Sequence, residues 1–182
     1  MKESGIVRKL DNLGRLVIPK EIRRCMRIKE GSSIEFGLLP SGEIVLCKYS
    51  LVNQISDYAD DFCEVLGEVC DSTVLIGDRD RVISGYGVNK RSVIGARWSD
   101  EVLDIIDSKN CYLAQVSNET TIVPIIEEDK FTYTSQIIMP IIIQGEIEGV
   151  IALCCCKGEV CLGSEHLMVL KLVSKFLSKQ ME

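Results

Sequence analysis

Apolar residues recur at helical spacing from Val52 onward: Val52, Ile55, Ala59, Phe62, Leu66 and Val69 are separated by 3, 4, 3, 4 and 3 positions. This predicts a helix of about five turns with a continuous apolar seam. Its other faces carry Asp57, Asp60, Asp61, Glu64 and Glu68 without a single Lys or Arg. Like charges four residues apart oppose the isolated helix, so packing has to hold it, and the seam serves equally to join two subunits or to lie against a sheet. Beyond it the pattern changes to short apolar runs, predicting strands at Thr73–Gly77, Val82–Gly85, Tyr112–Val116, Thr134–Ile143 and Ile147–Cys156. Helices are predicted from about Asp100 to Ser108 and from near Ser164, with Ser99 and Ser164, each followed by an acidic residue, as caps. The turn Gln144-Gly145-Glu146 between the two longest runs predicts an antiparallel pair at the centre of a sheet. Helices flanking a mainly antiparallel sheet make an α+β domain of the sensor type.

The first fifty residues are patterned differently. Short apolar runs at Gly5–Leu10 and Leu16–Ile18 are separated by the turn formers Asp11-Asn12-Leu13-Gly14. Pro19 then favours a turn or two of helix over Lys20–Met26, with Ile22 and Met26 on its inner face. Two further strands, Ser33–Leu38 and Glu43–Lys48, flank the hairpin turn Pro40-Ser41-Gly42. Four short strands and a stub of helix offer too little apolar surface for a monomeric core, so this module is expected to dimerise. The expected boundaries are residues 1–50 for the module, 51–71 for a linking or dimerisation helix, and 72–182 for the larger domain.

Charge sharpens that division. The chain of 182 residues carries a net charge of −6, but residues 1–50 hold ten Lys and Arg against six Asp and Glu, whereas residues 51–182 hold eleven against twenty-one. A locally basic module supplies phosphate contacts even in an acidic protein. Arg8, Arg15, Arg23, Arg24 and Arg27 fall within twenty residues, accompanied by Lys9, Lys20 and Lys29. Arginine's planar fork suits phosphate oxygens and base edges; a solvated charged face is the plainer alternative. No run is long and apolar enough for a membrane span, and the charged start MKESGIVRKL lacks the apolar core of a signal peptide. A cytoplasmic protein without membrane association is expected, and its nine cysteines are read as reduced thiols.

Residues 5–24, GIVRKLDNLGRLVIPKEIRR, resemble the DNA-binding segment of the AbrB family of bacterial transition-state regulators. The resemblance implies a swapped-hairpin barrel in which two chains interlock their strands, with Arg8, Arg15, Arg23 and Arg24, accompanied by Lys9, contacting double-stranded DNA. Outside the module, the junction Lys48-Tyr49-Ser50, the run VLIGDRD at 74–80 and the terminal FLSKQME at 176–182 resemble family members in which such a module is joined to a GAF domain. That resemblance implies a sporulation regulator with an AbrB-like barrel and a GAF-like domain, dimeric through the first and tetrameric through the second. The Asn-Lys-Phe-Asp-Glu signature of cyclic-nucleotide-binding GAF domains is absent, which counts against that ligand. The apolar pattern supports a domain that senses a small molecule and one that only pairs dimers equally well. Arg79, Arg81, Lys90, Arg91 and Trp98 could edge a pocket, but exposed loop residues of this kind are ordinary and no ligand residues are assigned.

Without a long recognition helix, direct base readout is expected to be limited, and shape readout of AT-rich duplex to be favoured. Two rivals remain. AbrB-like swapped folds also occur in antitoxins, although residues 51–182 are too apolar and patterned for a short toxin-binding tail. Cys154 and Cys156 on one side of a strand, or Cys161 and His166, allow a zinc cluster or thiol enzyme to be drawn, yet no Cys-x-x-Cys pair accompanies them. No catalytic residue, metal or cofactor is expected.

Overall fold

The computed structural model describes residues 5–49, 56–87, 90–156 and 161–181, with the backbone alone at 56, 57, 90 and 91. It divides into two units, 1–49 and 50–182.

In the first unit, α1 (Lys20–Cys25) begins directly after Pro19, which occupies the capping position. Strands β1 (Ile34–Leu38) and β2 (Ile44–Lys48) form an antiparallel hairpin with Phe36 opposite Leu46. Its turn is closed by the Gly42 N–H on the Leu39 carbonyl at 2.9 Å, as the Pro40-Ser41-Gly42 sequence predicts. The runs 5–10 and 16–18 are not strands within the chain. A strand is defined by a paired neighbour, and the only ladder among the described residues of this unit is β1 with β2. Pro19 is the single buried residue described here, and Met26, expected on an inner face, is exposed.

The second unit is built on a five-stranded antiparallel sheet in the order β4-β3-β7-β6-β5, from β3 (Thr73–Asp78), β4 (Val82–Tyr86), β5 (Tyr112–Gln115), β6 (Tyr133–Ile143) and β7 (Glu146–Cys156). The longest strands, β6 and β7, pair next to each other around the Gln144-Gly145 turn. Their apolar runs are continuous because both faces of the sheet are covered. On one face Val74, Ile76, Ile137, Met139, Ile151 and Leu153 pack with α2 (Ser56–Cys70) and α5 (Ser164–Gln180). On the other, Leu75, Ile138, Val150 and Ala152 pack with α4 (Asp100–Asp107) and with Trp98, Ile125 and Ile126. A short helix α3 (Lys90–Val93) and a 3-10 turn (Val116–Asn118) complete the unit; neither was expected from the apolar pattern.

The seam of α2 is shifted from its expected position. Val52 and Ile55 lie outside the described residues, and the buried stripe is Ala59, Cys63, Leu66 and Cys70, while Val69 is exposed. Cysteine behaves as a small apolar side chain, so Cys63 and Cys70 complete a stripe that aliphatic residues alone do not mark. Gly67 lets the Tyr86 ring lie directly on the helix, in space that a Cβ would occupy. Ser99 caps α4, its hydroxyl accepting from the Val102 N–H at 3.1 Å. Ser164 does not cap α5: the capping position is Gly163, whose N–H donates to His166 Nδ1 at 3.0 Å, so the single histidine serves the helix terminus.

Candidate nucleic-acid interface

All five candidate side chains, Arg8, Lys9, Arg15, Arg23 and Arg24, belong to the first unit and are exposed. Arg23 and Arg24 lie in the last turn of α1, where positive charge also favours the negative end of the helix. Arg15 ends the turn that starts at Asp11. That turn is closed by the Gly14 N–H on the Asp11 carbonyl at 3.1 Å and the Asp11 N–H on the Arg15 carbonyl at 3.2 Å. Gly14 adopts a φ of +73°, a conformation that side-chain-bearing residues seldom tolerate.

Asp11 organises this turn, which charge counting alone does not reveal. Its Oδ1 accepts the N–H groups of Leu13 at 2.9 Å and Arg15 at 2.8 Å, and its Oδ2 accepts Arg15 Nε at 2.7 Å. The Arg15 N–H, then the Arg15 side chain and the Leu13 N–H, hold the Asp11 carboxyl below the usual aspartate range. An aspartate opening a D-N-L-G turn four residues before an arginine is a visible signal for such an Asx turn. Among the described residues, Arg8, Lys9, Arg23 and Arg24 have no carboxylate partner, and no hydrogen bond links one of the five to another. Four exposed cations of this unit are thus without a carboxylate partner among the described residues.

The first unit also leaves large apolar side chains in solvent: Val7 is 85% exposed, Val17 73%, Phe36 72%, Leu38 78% and Ile44 66%. In the second unit, α2 presents an outer stripe of Tyr58, Val65 and Val69, and α5 one of Met168, Leu172 and Phe176, all exposed. The rings of Phe62 and Phe176, 6.1 Å apart, join the two helices. The α2 helix therefore carries one apolar stripe against the sheet and another facing outward.

Three of the residues considered for a pocket edge are engaged within the unit. Trp98 is wholly buried, with its indole Nε1 donating to the Asp78 carbonyl at 2.7 Å. Arg79 pairs with Asp107 at 2.7 Å, and Arg81 donates to the Gly95 carbonyl at 2.5 Å; the side chains of Lys90 and Arg91 lie outside the described residues. A strap at residues 120–128 crosses this face of the sheet. Buried Gln136 grips it, Nε2 donating to the Val123 carbonyl and Oε1 accepting the Val123 N–H, each at 3.1 Å. Ser99 adds its N–H to the Ile125 carbonyl at 3.1 Å and its hydroxyl to the Pro124 carbonyl at 2.6 Å. Asp129 Oδ2 accepts the Ile125 N–H at 2.8 Å. Burial, followed by the neighbouring Cys154 and Asp129, raises the Tyr133 phenol well above its usual range, so it stays neutral. Replacing Gln136 with Leu strands two backbone groups of the strap and is expected to lower the stability of this unit by roughly 2–4 kcal/mol, read from urea unfolding. An unchanged midpoint would show that the grip contributes nothing.

Among the described residues no group of three or more His, Cys, Asp or Glu side chains is placed to hold an ion. Cys154 and Cys155 are buried on opposite faces of the sheet, and Cys161 is exposed. No helix among the described residues is long and apolar enough to cross a membrane.

Comparison with solved structures places the second unit in the GAF fold. The GAF domain of an Acinetobacter phosphoenolpyruvate-protein phosphotransferase superposes with a TM-score of 0.59 at 14% identity, covering 74% of this chain and 83% of that one. The phycocyanobilin-bound GAF domain of a cyanobacterial phytochrome superposes with a TM-score of 0.54 at 13% identity, over 71% and 87%. Residues 7–53 match the family model described as antidote-toxin recognition MazE, bacterial antitoxin. A stretch of 90 residues, half of this chain and 84% of the relative, is 37% identical to the transition state regulatory protein AbrB of Bacillus subtilis. An AbrB-like module joined to a GAF fold defines a two-domain transcriptional regulator. Residues 54–182 match the model described as stage V sporulation protein T C-terminal, transcription factor, and the whole chain is 33% identical to stage V sporulation protein T of Bacillus subtilis over 99% of that protein. The chain belongs to the stage V sporulation protein T family of sporulation transcription regulators.

Proposed function

We propose that the chain binds double-stranded DNA as a dimer of its first fifty residues, with Arg8, Lys9, Arg15, Arg23 and Arg24 on the phosphates. The observation that carries this reading is a unit that is basic and almost without an interior. One buried residue, Pro19, cannot sustain a fold against conformational entropy, whereas a second copy offers cover for Val7, Val17, Phe36, Leu38 and Ile44 and partners for the unpaired runs 5–10 and 16–18. Each cation then occurs twice on one surface. The six-residue α1 is too short to fill a major groove, so shape and deformability of AT-rich duplex, rather than an extended set of base contacts, set the preference.

The outer stripes of α2 and α5 support a second association, GAF-like domain to GAF-like domain, which joins two dimers into a tetramer. Residues 51–71 then link the DNA-binding module to residues 72–182 and contribute to that face. The protein works in the cytoplasm without catalysis, and a small-molecule input would act by changing how the two paired barrels are spaced on DNA. The match of residues 7–53 to an antitoxin model favours a second reading, as the DNA-binding half of a toxin–antitoxin pair. The two-faced core of residues 72–182 is unlike the short flexible tail that caps a toxin, and supports the regulator instead.

The test is the mass of the full chain in solution, followed by titration with an AT-rich duplex at low ionic strength. A tetramer, or at the least a dimer, whose affinity falls steeply with salt is expected. A monomer indifferent to the duplex would end this reading.

A further inference from the structure

We propose that Asp11 is a positioning residue for DNA recognition, holding the Arg15 guanidinium in place before the phosphate arrives. This rests on the reading that Arg15 contacts DNA. The two oxygens of Asp11 do separate work. Oδ1 takes the N–H groups of Leu13 and Arg15 and so builds the turn, while Oδ2 takes Arg15 Nε at 2.7 Å and so fixes the side chain. The Arg15 side chain remains 72% exposed, and its Nη groups have no partner among the described residues. Arginine gripped from behind by its Nε retains the Nη donors for an anion. The rotamer freedom it would lose on binding is already spent, and preorganisation of this kind raises affinity without a new contact.

Electrostatics alone gives the opposite expectation. A carboxylate on a surface that meets phosphates repels them, so its removal should tighten binding. That difference in sign makes the role testable. Asp11→Asn keeps an amide oxygen for the two backbone N–H groups, whereas its amide nitrogen cannot accept from Arg15 Nε. The turn is preserved and the grip is lost.

The experiment measures binding of the full chain to an AT-rich duplex across a salt series, for wild type, Asp11→Asn, Arg15→Ala and the double variant, with unfolding midpoint and oligomer mass as controls. Asp11→Asn is expected to bind about fivefold to tenfold more weakly, one lost charge-assisted bond in each subunit, with an unchanged salt slope because Arg15 still reaches the phosphate. In the Arg15→Ala background the same substitution should no longer weaken binding, and should tighten it slightly, since only the repulsive charge is left to remove. Binding by Asp11→Asn equal to or tighter than wild type overturns the proposal. So does an equal loss in both backgrounds, which would make Asp11 a builder of the turn only. If Arg15→Ala alone leaves affinity and salt slope intact, the Arg15 contact itself is wrong and the positioning role falls with it.

Discussion

The Arg15→Ala, Arg23→Ala double variant is expected to bind duplex DNA at least about a hundredfold more weakly than wild type at low salt. The dimer loses four guanidinium groups. If each meets a phosphate, the slope of log K against log salt becomes shallower by about 0.9 per contact, or about 3.6 in all. Stability should hardly change, because Arg23 is exposed with no ion-pair partner among the described residues and Arg15 makes one surface pair. This separates an interface from a solvated charged face. A variant with wild-type slope would show that these arginines only keep the module soluble.

The largest effect on stability is expected at Trp98. Its ring is wholly buried between the sheet, α4 and Ile125, and Gly77 leaves the space its six-membered ring occupies. Trp98→Ala should lower the unfolding free energy of residues 50–182 by about 3–5 kcal/mol, through lost burial and the cavity left behind. Trp98→Phe keeps most of the bulk but leaves the Asp78 carbonyl without the indole donor, which predicts a smaller loss of about 1–2 kcal/mol. Urea unfolding of both variants checks the order. Equal losses would mean that the hydrogen bond, rather than the volume, dominates this site.

Much of this architecture is legible in the amino-acid order. The runs at 134–143 and 147–156 read as paired strands because they are long, apolar and joined by Gln144-Gly145, and they form β6 and β7. Ser99 reads as a cap because an acidic first turn follows it. Less visible is the face of α2 that meets the sheet, since Cys63 and Cys70 do not stand out as core residues. Trp98 reads as an exposed loop residue, yet the chain folds the Asp78 carbonyl against its indole N–H, satisfying the one polar atom that would otherwise keep the ring near solvent. The histidine five residues after Cys161 invites a metal reading in the sequence, whereas in the fold its Nδ1 accepts the Gly163 N–H at the start of α5. The arginines of the module are plain in sequence; what orders one of them, Asp11, is missed by counting charge, which reads it as one more acid offsetting the bases, although the D-N-L-G turn that it opens is itself visible.

The strap over the second face of the sheet covers one half of the core. Ile125, Ile126 and Trp98 already fill the space above Leu75, Ile138 and Ala152, so a visitor to that space must wait for the strap to lift. Its apparent affinity would then be its intrinsic affinity multiplied by the fraction of time the strap is open. Gln136, Ser99 and Asp129 each fasten the closed form, so weakening any one of them would raise that fraction.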